Sequence, residues 1–160
     1  MPFTIETASS ADAHEIAALL RRSIVELCTE DHDGDPGRYK AWVANKTADQ
    51  VEKWIGEPGC FFSARDADGK VLGVAAGTLD GAITLNYVLP EARFSGVSKA
   101  LMRAVERHFR EWGIEEASLE SSATARRFYL SLGYEETGTG KRVGGMAFSR
   151  LSKSLVAGGA

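Results

Sequence analysis

Residues 60–90, "CFFSARDADGKVLGVAAGTLDGAITLNYVLP", constrain the fold more than any other stretch. Apolar, β-favouring runs are broken there by Asp68-Gly69 and by Asp80-Gly81, the dipeptide that most strongly signals a tight hairpin. The pattern predicts a meander of three antiparallel strands. Upstream, "FTIET" alternates like a short strand. A helix with Ile16, Leu20, Ile24 and Leu27 on one face then follows a serine cap. Asp35-Pro36 supplies an N-cap and first helical position for a short helix in "RYKAWVANK", and Thr47 with Gln50 fits a capping box for another. Downstream, a helix from Ser95 to Trp112 turns Val97, Leu101, Val105, Phe109 and Trp112 to the core, and "IEEASLES" reads as a strand. Ala125, Phe128, Tyr129 and Leu132 recur at helical spacing up to a Gly133 cap, and two strands around a glycine turn complete the order. These elements predict an α/β fold, a mixed sheet with helices on both faces.

At 160 residues the chain reads as one domain over 1–153 with a flexible tail over 154–160. A net charge of -3 offers no broad basic field, which argues against nucleic acid or an anionic membrane as partner. Neither a signal-type start nor a long apolar run stands in the sequence, so a cytoplasmic location is expected. Cys28 and Cys60 lack metal-ligand spacing and sit beside apolar residues, as reduced, packed thiols do. No metal is expected. Asp31, Asp33 and Asp35 resemble the start of a calcium loop, but Pro36 stands where the turn glycine belongs and Trp42 where the bidentate glutamate belongs. A solvated acidic loop is the expectation there. "GTGKR" fails as a phosphate loop because Glu135 replaces the first glycine and no helix follows.

Gly96 lies where the turn "PEARFSG" gives way to a helix, a place where first-turn N–H groups lack intrahelical partners and suit an anion. An ordinary loop-to-helix junction is the alternative. The longer segment "NYVLPEARFSGVSKAL" resembles the signature of the GCN5-related N-acetyltransferase (GNAT) superfamily, in which V-x-P ends a strand and R/Q-x-x-G-x-G/A opens a helix. Val88, Pro90, Arg93, Gly96 and Ser98 carry it, with Ser98 in place of the usual Gly or Ala, and Phe94 and Ser95 in place of a commonly basic, glycine-rich pair. "SSATARRFYLSLGY" is similar to the superfamily's later segment through Ser122, Ala125, Phe128, Tyr129, Gly133 and Tyr134.

The resemblance implies a mostly antiparallel central sheet splayed at a cofactor cleft, with acetyl-CoA as co-substrate and a small-molecule or protein amine as acceptor. It places the pyrophosphate on the turn of Arg93, Phe94, Ser95, Gly96, Val97 and Ser98, pantetheine along Tyr87, Val88 and Leu89 beside a bulge near Val88, and Ser122 within the cofactor site. Tyr129 matches the family's general acid, which protonates the departing coenzyme A thiolate. A base must also take a proton from the amine. Glu120 alternates with Leu119 on the strand bordering the cleft and is the candidate, against the alternative of a solvent-facing glutamate. Glu30, Asp31 and His32 lie in the acceptor-side loop as candidate substrate-binding residues and competing bases, and their carboxylates favour a cationic acceptor. A non-catalytic acyl-CoA-binding module and an interaction domain on the same fold remain the other readings, and a homodimer is compatible with each.

Overall fold

The run Val-Leu-Gly-Val-Ala-Ala-Gly has no polar position, the pattern of a strand buried on both faces. In the computed structural model, which describes residues 2–156, it forms β3 (Val71–Gly77), buried along its length. Helix α1 (Ala13–Leu27) and helix α5 (Val97–Glu111) both pack on β3. Two glycines bring α5 close. A Cβ at Gly77 would stand 2.6 Å from Phe109 Cζ, and one at Gly73 would stand 3.0 Å from Val97 Cγ1. Val97, Leu101, Val105 and Phe109 are accordingly buried, as are Ile16, Leu20 and Ile24 of α1.

Around β3 the sheet runs β1-β2-β3-β4-β5-β7-β6. β1 (Thr4–Thr7), β2 (Cys60–Arg65), β3 and β4 (Ala82–Val88) pair antiparallel, and β7 (Met146–Ser154) pairs antiparallel with both β5 (Glu116–Ser121) and β6 (Glu135–Val143). Among the described residues only β4 and β5 pair in parallel, joined through Ala82–Ser118 and Ile83–Leu119 before they part. The expected splay lies there. Between α1 and β2 stand α2 (Thr29–His32), α3 (Pro36–Val43) and α4 (Ala48–Gly56), while α6 (Arg126–Ser131) follows β5. Asp35 caps α3 by accepting from Gly37 N–H at 2.9 Å, and Thr47 Oγ1 caps α4 by accepting from Gln50 N–H at 3.2 Å. Among the described residues no helix is long and apolar enough to cross a membrane.

Four local expectations are corrected. The bulge sits at Thr84 rather than near Val88, because Ala76 faces Leu85 while Gly77 faces Ile83. Trp112 is 40% exposed, since α5 ends at Glu111 and the ring leaves the helical face one position beyond. The acidic stretch after α1 is solvated only in part: Asp33 and Asp35 are exposed, but Thr29–His32 forms a helical turn with Asp31 and His32 buried. Ser154 still belongs to β7, and Leu155 is buried with its N–H bonded to Glu115 O at 2.8 Å, so the fold runs past 153. Residues 157–160 of the expected tail lie outside the described residues.

Replacing Gly77 with Val drives a side chain into Phe109 and Val105. Overpacking of this kind costs about 1–3 kcal/mol, so a urea unfolding curve of Gly77→Val should show a correspondingly lower midpoint with an unchanged slope.

Candidate active site

Where β4 and β5 part, a cavity of about 910 Å³ opens, lined by Ile83 to Val88 on one side and by Leu119 and Glu120 on the other. Backbone polarity follows from the register. Leu89 N–H bonds Leu72 O at 2.8 Å, and these two residues face each other across β3 and β4. Antiparallel alternation then turns Tyr87 toward β3 as well, and turns the N–H and C=O of Asn86 and Val88 toward the vacated β5 side. Unpaired backbone groups thus come from the divergence of the strands, not from a bulge beside Val88.

One end of the cavity is built by the start of α5, with Arg93, Phe94, Gly96, Ser98 and Lys99 in its wall. Gly96 is the N-cap at φ 85°, provides no side-chain cap, and has nothing within 4 Å of where a Cβ would be. The first intrahelical bond is donated by Ala100 to Gly96 O at 3.1 Å, so the N–H groups of Val97, Ser98 and Lys99 have no intrahelical acceptor. Such a terminus, with Arg93 and Lys99 beside it, suits a phosphate-type anion.

Tyr129 stands on α6, buried, with its ring edge-on to Phe128 at 5.4 Å and to Tyr134 at 5.9 Å. The amide Nδ2 of Asn86 donates to its hydroxyl oxygen at 3.3 Å. Burial pushes the Tyr129 phenol up to about 12, only partly countered by Asn86, so it keeps its proton through the neutral range. The remaining wall joins Ser23, Leu27 and Cys28 with Glu30, Trp42 and Phe148, apolar and aromatic surface bearing a carboxylate. Glu120 lines the same cavity, with its Oε1 accepting from Lys141 N–H at 2.7 Å.

A family model for the acetyltransferase (GNAT) domain matches residues 26–155. The chain belongs to the GNAT acetyltransferase family. Solved GNAT structures share its fold. A GCN5-related N-acetyltransferase structure from Rhodopseudomonas palustris superposes with a TM-score of 0.87 at 21% identity, covering 96% of each chain. A PaiA N-acetyltransferase from Thermoplasma acidophilum, in complex with coenzyme A, gives 0.79 at 18% identity over 96% of this chain and 99% of that one. An aminoglycoside 6'-acetyltransferase type Ii gives 0.71 at 17% identity, over 96% of this chain and 97% of that one. Comparison with curated proteins returns no match.

Most of the residues singled out in this GNAT sequence meet at the cavity: Tyr87, Val88, Arg93, Phe94, Gly96, Ser98, Glu120, Ser122, Tyr129 and Glu30 all line it. Others do not. Leu89 and Val97 are buried in the core, and the Ser95 hydroxyl donates to Ala92 O. Asp31 and His32 are corrected as acceptor contacts, since both are buried and internally bonded. Asp31 accepts from Ala123 N–H at 2.7 Å, Thr124 N–H at 3.1 Å and Thr124 Oγ1 at 2.6 Å. The His32 ring lies with Nε2 at 2.9 Å from Ile24 O, while its Nδ1 accepts from Gly34 N–H at 3.0 Å. Asp31 therefore holds the start of the Tyr129 segment, and His32 closes the end of α1. Sequence reading missed Asn86, Trp42 and Phe148. Asn86 was the legible one, a single amide in the otherwise apolar end of β4.

Asp31→Ala leaves two backbone N–H groups without their acceptor, and losing hydrogen bonds to a charged group costs about 1.5–3 kcal/mol. Chemical denaturation should register that loss, and Asp31→Ala with wild-type stability would separate the two segments.

Proposed function

We propose that this GNAT domain moves the acetyl group of acetyl-CoA to a primary amine by direct attack. One observation carries the reading: a helix N-terminus without a capping side chain and a buried phenol that keeps its proton open on the same cavity. The first-turn N–H groups of α5, with Arg93 and Lys99, suit the pyrophosphate. The relative from Thermoplasma acidophilum holds coenzyme A, which supports the same co-substrate here.

Acetyl-CoA supplies a thioester that a neutral amine attacks at the carbonyl carbon, forming C–N as C–S breaks. The chain's own groups do the rest. Glu120 accepts the proton that the acceptor ammonium must lose, directly or through water. The backbone N–H groups of Asn86 and Val88, turned to the gap, steady the carbonyl oxygen as it gains charge. Tyr129 gives its proton to the departing sulfur, and Asn86, by donating to the phenol oxygen, leaves the Tyr129 hydrogen free for that transfer. Neither cysteine takes part. Burial raises the Cys28 thiol to about 12 and the Cys60 thiol to about 11, which keeps both protonated. Glu30 and Glu120 are the carboxylates of the wall, beside Trp42 and Phe148, and favour a cationic acceptor with an apolar body. The reading takes the chain to act in the cytoplasm on a small-molecule or protein amine.

Release of thiol from acetyl-CoA that depends on an added amine tests the proposal; binding of acetyl-CoA without such release would make the domain a binding module. Tyr129→Phe keeps the ring and should bind acetyl-CoA normally while turnover falls by roughly two to four orders of magnitude. A Gly96→Asp chain has space for the side chain, but it strains the left-handed backbone at φ 85° and adds a negative charge at the helix terminus. Calorimetric titration should find its acetyl-CoA binding abolished in a folded protein, and retained affinity would remove the turn from the site.

A further inference from the structure

We propose that Phe94 is a stacking platform for the adenine ring of coenzyme A, an inference that rests on reading the cavity as an acetyl-CoA site. Phe94 is 90% exposed, the most exposed large apolar side chain among the described residues. Its backbone is also left-handed, at φ 63°, a conformation that bulky residues avoid and that glycine or asparagine would take more easily. Two unfavourable features coincide at one residue. Strain of this kind concentrates where a ligand is held.

The surroundings say which ligand. Phe94 lines the same cavity as Gly96, Ser98 and Lys99, two positions before the helix terminus that suits the pyrophosphate. The other aromatic residues of the wall, Trp42, Tyr87, Phe128, Tyr129 and Phe148, are buried or half-buried, so Phe94 alone presents an open ring. In coenzyme A the pyrophosphate joins pantetheine to adenosine. With pantetheine directed inward toward Tyr129, adenosine is left on the outer side of the turn, where Phe94 stands. The Arg93 guanidinium sits 4.6 Å from the Phe94 ring centroid, which orients the ring and brings positive charge beside it. The turn itself is tied down by the Ser95 hydroxyl donating to Ala92 O and by Arg93 N–H donating to Pro90 O at 3.3 Å. A flat purine matches the free face, since base–aromatic stacking needs only two π-surfaces.

The test compares wild type, Phe94→Ala and Phe94→Trp by calorimetric titration with coenzyme A and with 4'-phosphopantetheine, which lacks adenosine. NMR of the adenine H2 and H8 protons of bound coenzyme A accompanies it. Phe94→Ala keeps a Cβ, so the backbone strain stays while the ring goes. Its affinity for coenzyme A should fall roughly 5- to 150-fold, its affinity for 4'-phosphopantetheine should match wild type, and the upfield ring-current shift of H2 and H8 should vanish. Phe94→Trp should retain both the affinity and the shift. Unchanged coenzyme A binding in Phe94→Ala, an equal loss for both ligands, or a persisting adenine shift each overturns the inference while leaving the acetyl-CoA site intact. A wild-type protein that does not bind coenzyme A overturns the site and the platform together.

Discussion

The parting of β4 from β5 beyond Ile83 and Leu119 is the constraint on which the rest of the molecule depends. Each strand is paired on its outer side, β5 along its length with β7 and β4 with β3 on both sides of the bulge at Thr84, so the sheet holds together while its middle opens. Gly81 makes the joined end possible: a Cβ there would lie 2.5 Å from Glu116 O, so only glycine lets the turn before β4 come this near β5. The bulge at Thr84 follows directly and shifts the register just as the strands separate. Backbone groups that a continuous sheet would consume are left facing a cavity, where a ligand can use them.

Placing the Tyr129 phenol at that gap requires α6 to be held from both sides. On one side Tyr134, which packs edge-on to Tyr129, donates its hydroxyl to Glu106 Oε2 at 2.7 Å, and Lys153 donates to Oε1 of the same buried carboxylate at 3.0 Å. Glu106 and burial together hold the Tyr134 phenol well above its ordinary range, so this donor does not ionise. Removing either partner would leave a buried charge short of a hydrogen bond, which makes the arrangement rigid. On the other side Asp31 grips the chain just ahead of α6. The proton transfer proposed for Tyr129 would benefit from such fixation, because its efficiency depends on holding donor and acceptor in a narrow geometry.

How much of this was legible in the residues depends on the range of the interaction involved. Asp80-Gly81 and Asp35-Pro36 act within a few positions and became the turn and cap their chemistry predicts, and Thr47 caps α4 by accepting from Gln50 N–H, the one half of the expected capping box that forms. The helical face of Val97, Leu101, Val105 and Phe109 followed from periodicity, whereas Trp112 shared the spacing but not the helix. Asp31 misled because an acid among acids reads as solvated, and its acceptor role is met by residues 92 and 93 positions away. His32 misled for the same reason, being folded back onto the end of α1.

Taken alone, the amino-acid order determined all the strands and every helix longer than one turn, their sequence along the chain and the small-residue turn at Gly96, since capping, turn chemistry and apolar periodicity are local properties of the backbone. Tertiary structure alone decided that the open face of that turn, the Tyr129 phenol and the Asn86 amide meet at one cavity, and that Asp31 and His32 are withdrawn from it. Cavity and burial arise only when β4 and β5 diverge and α1 and α5 close on β3, and contacts between segments so far apart leave no periodic trace in the chain.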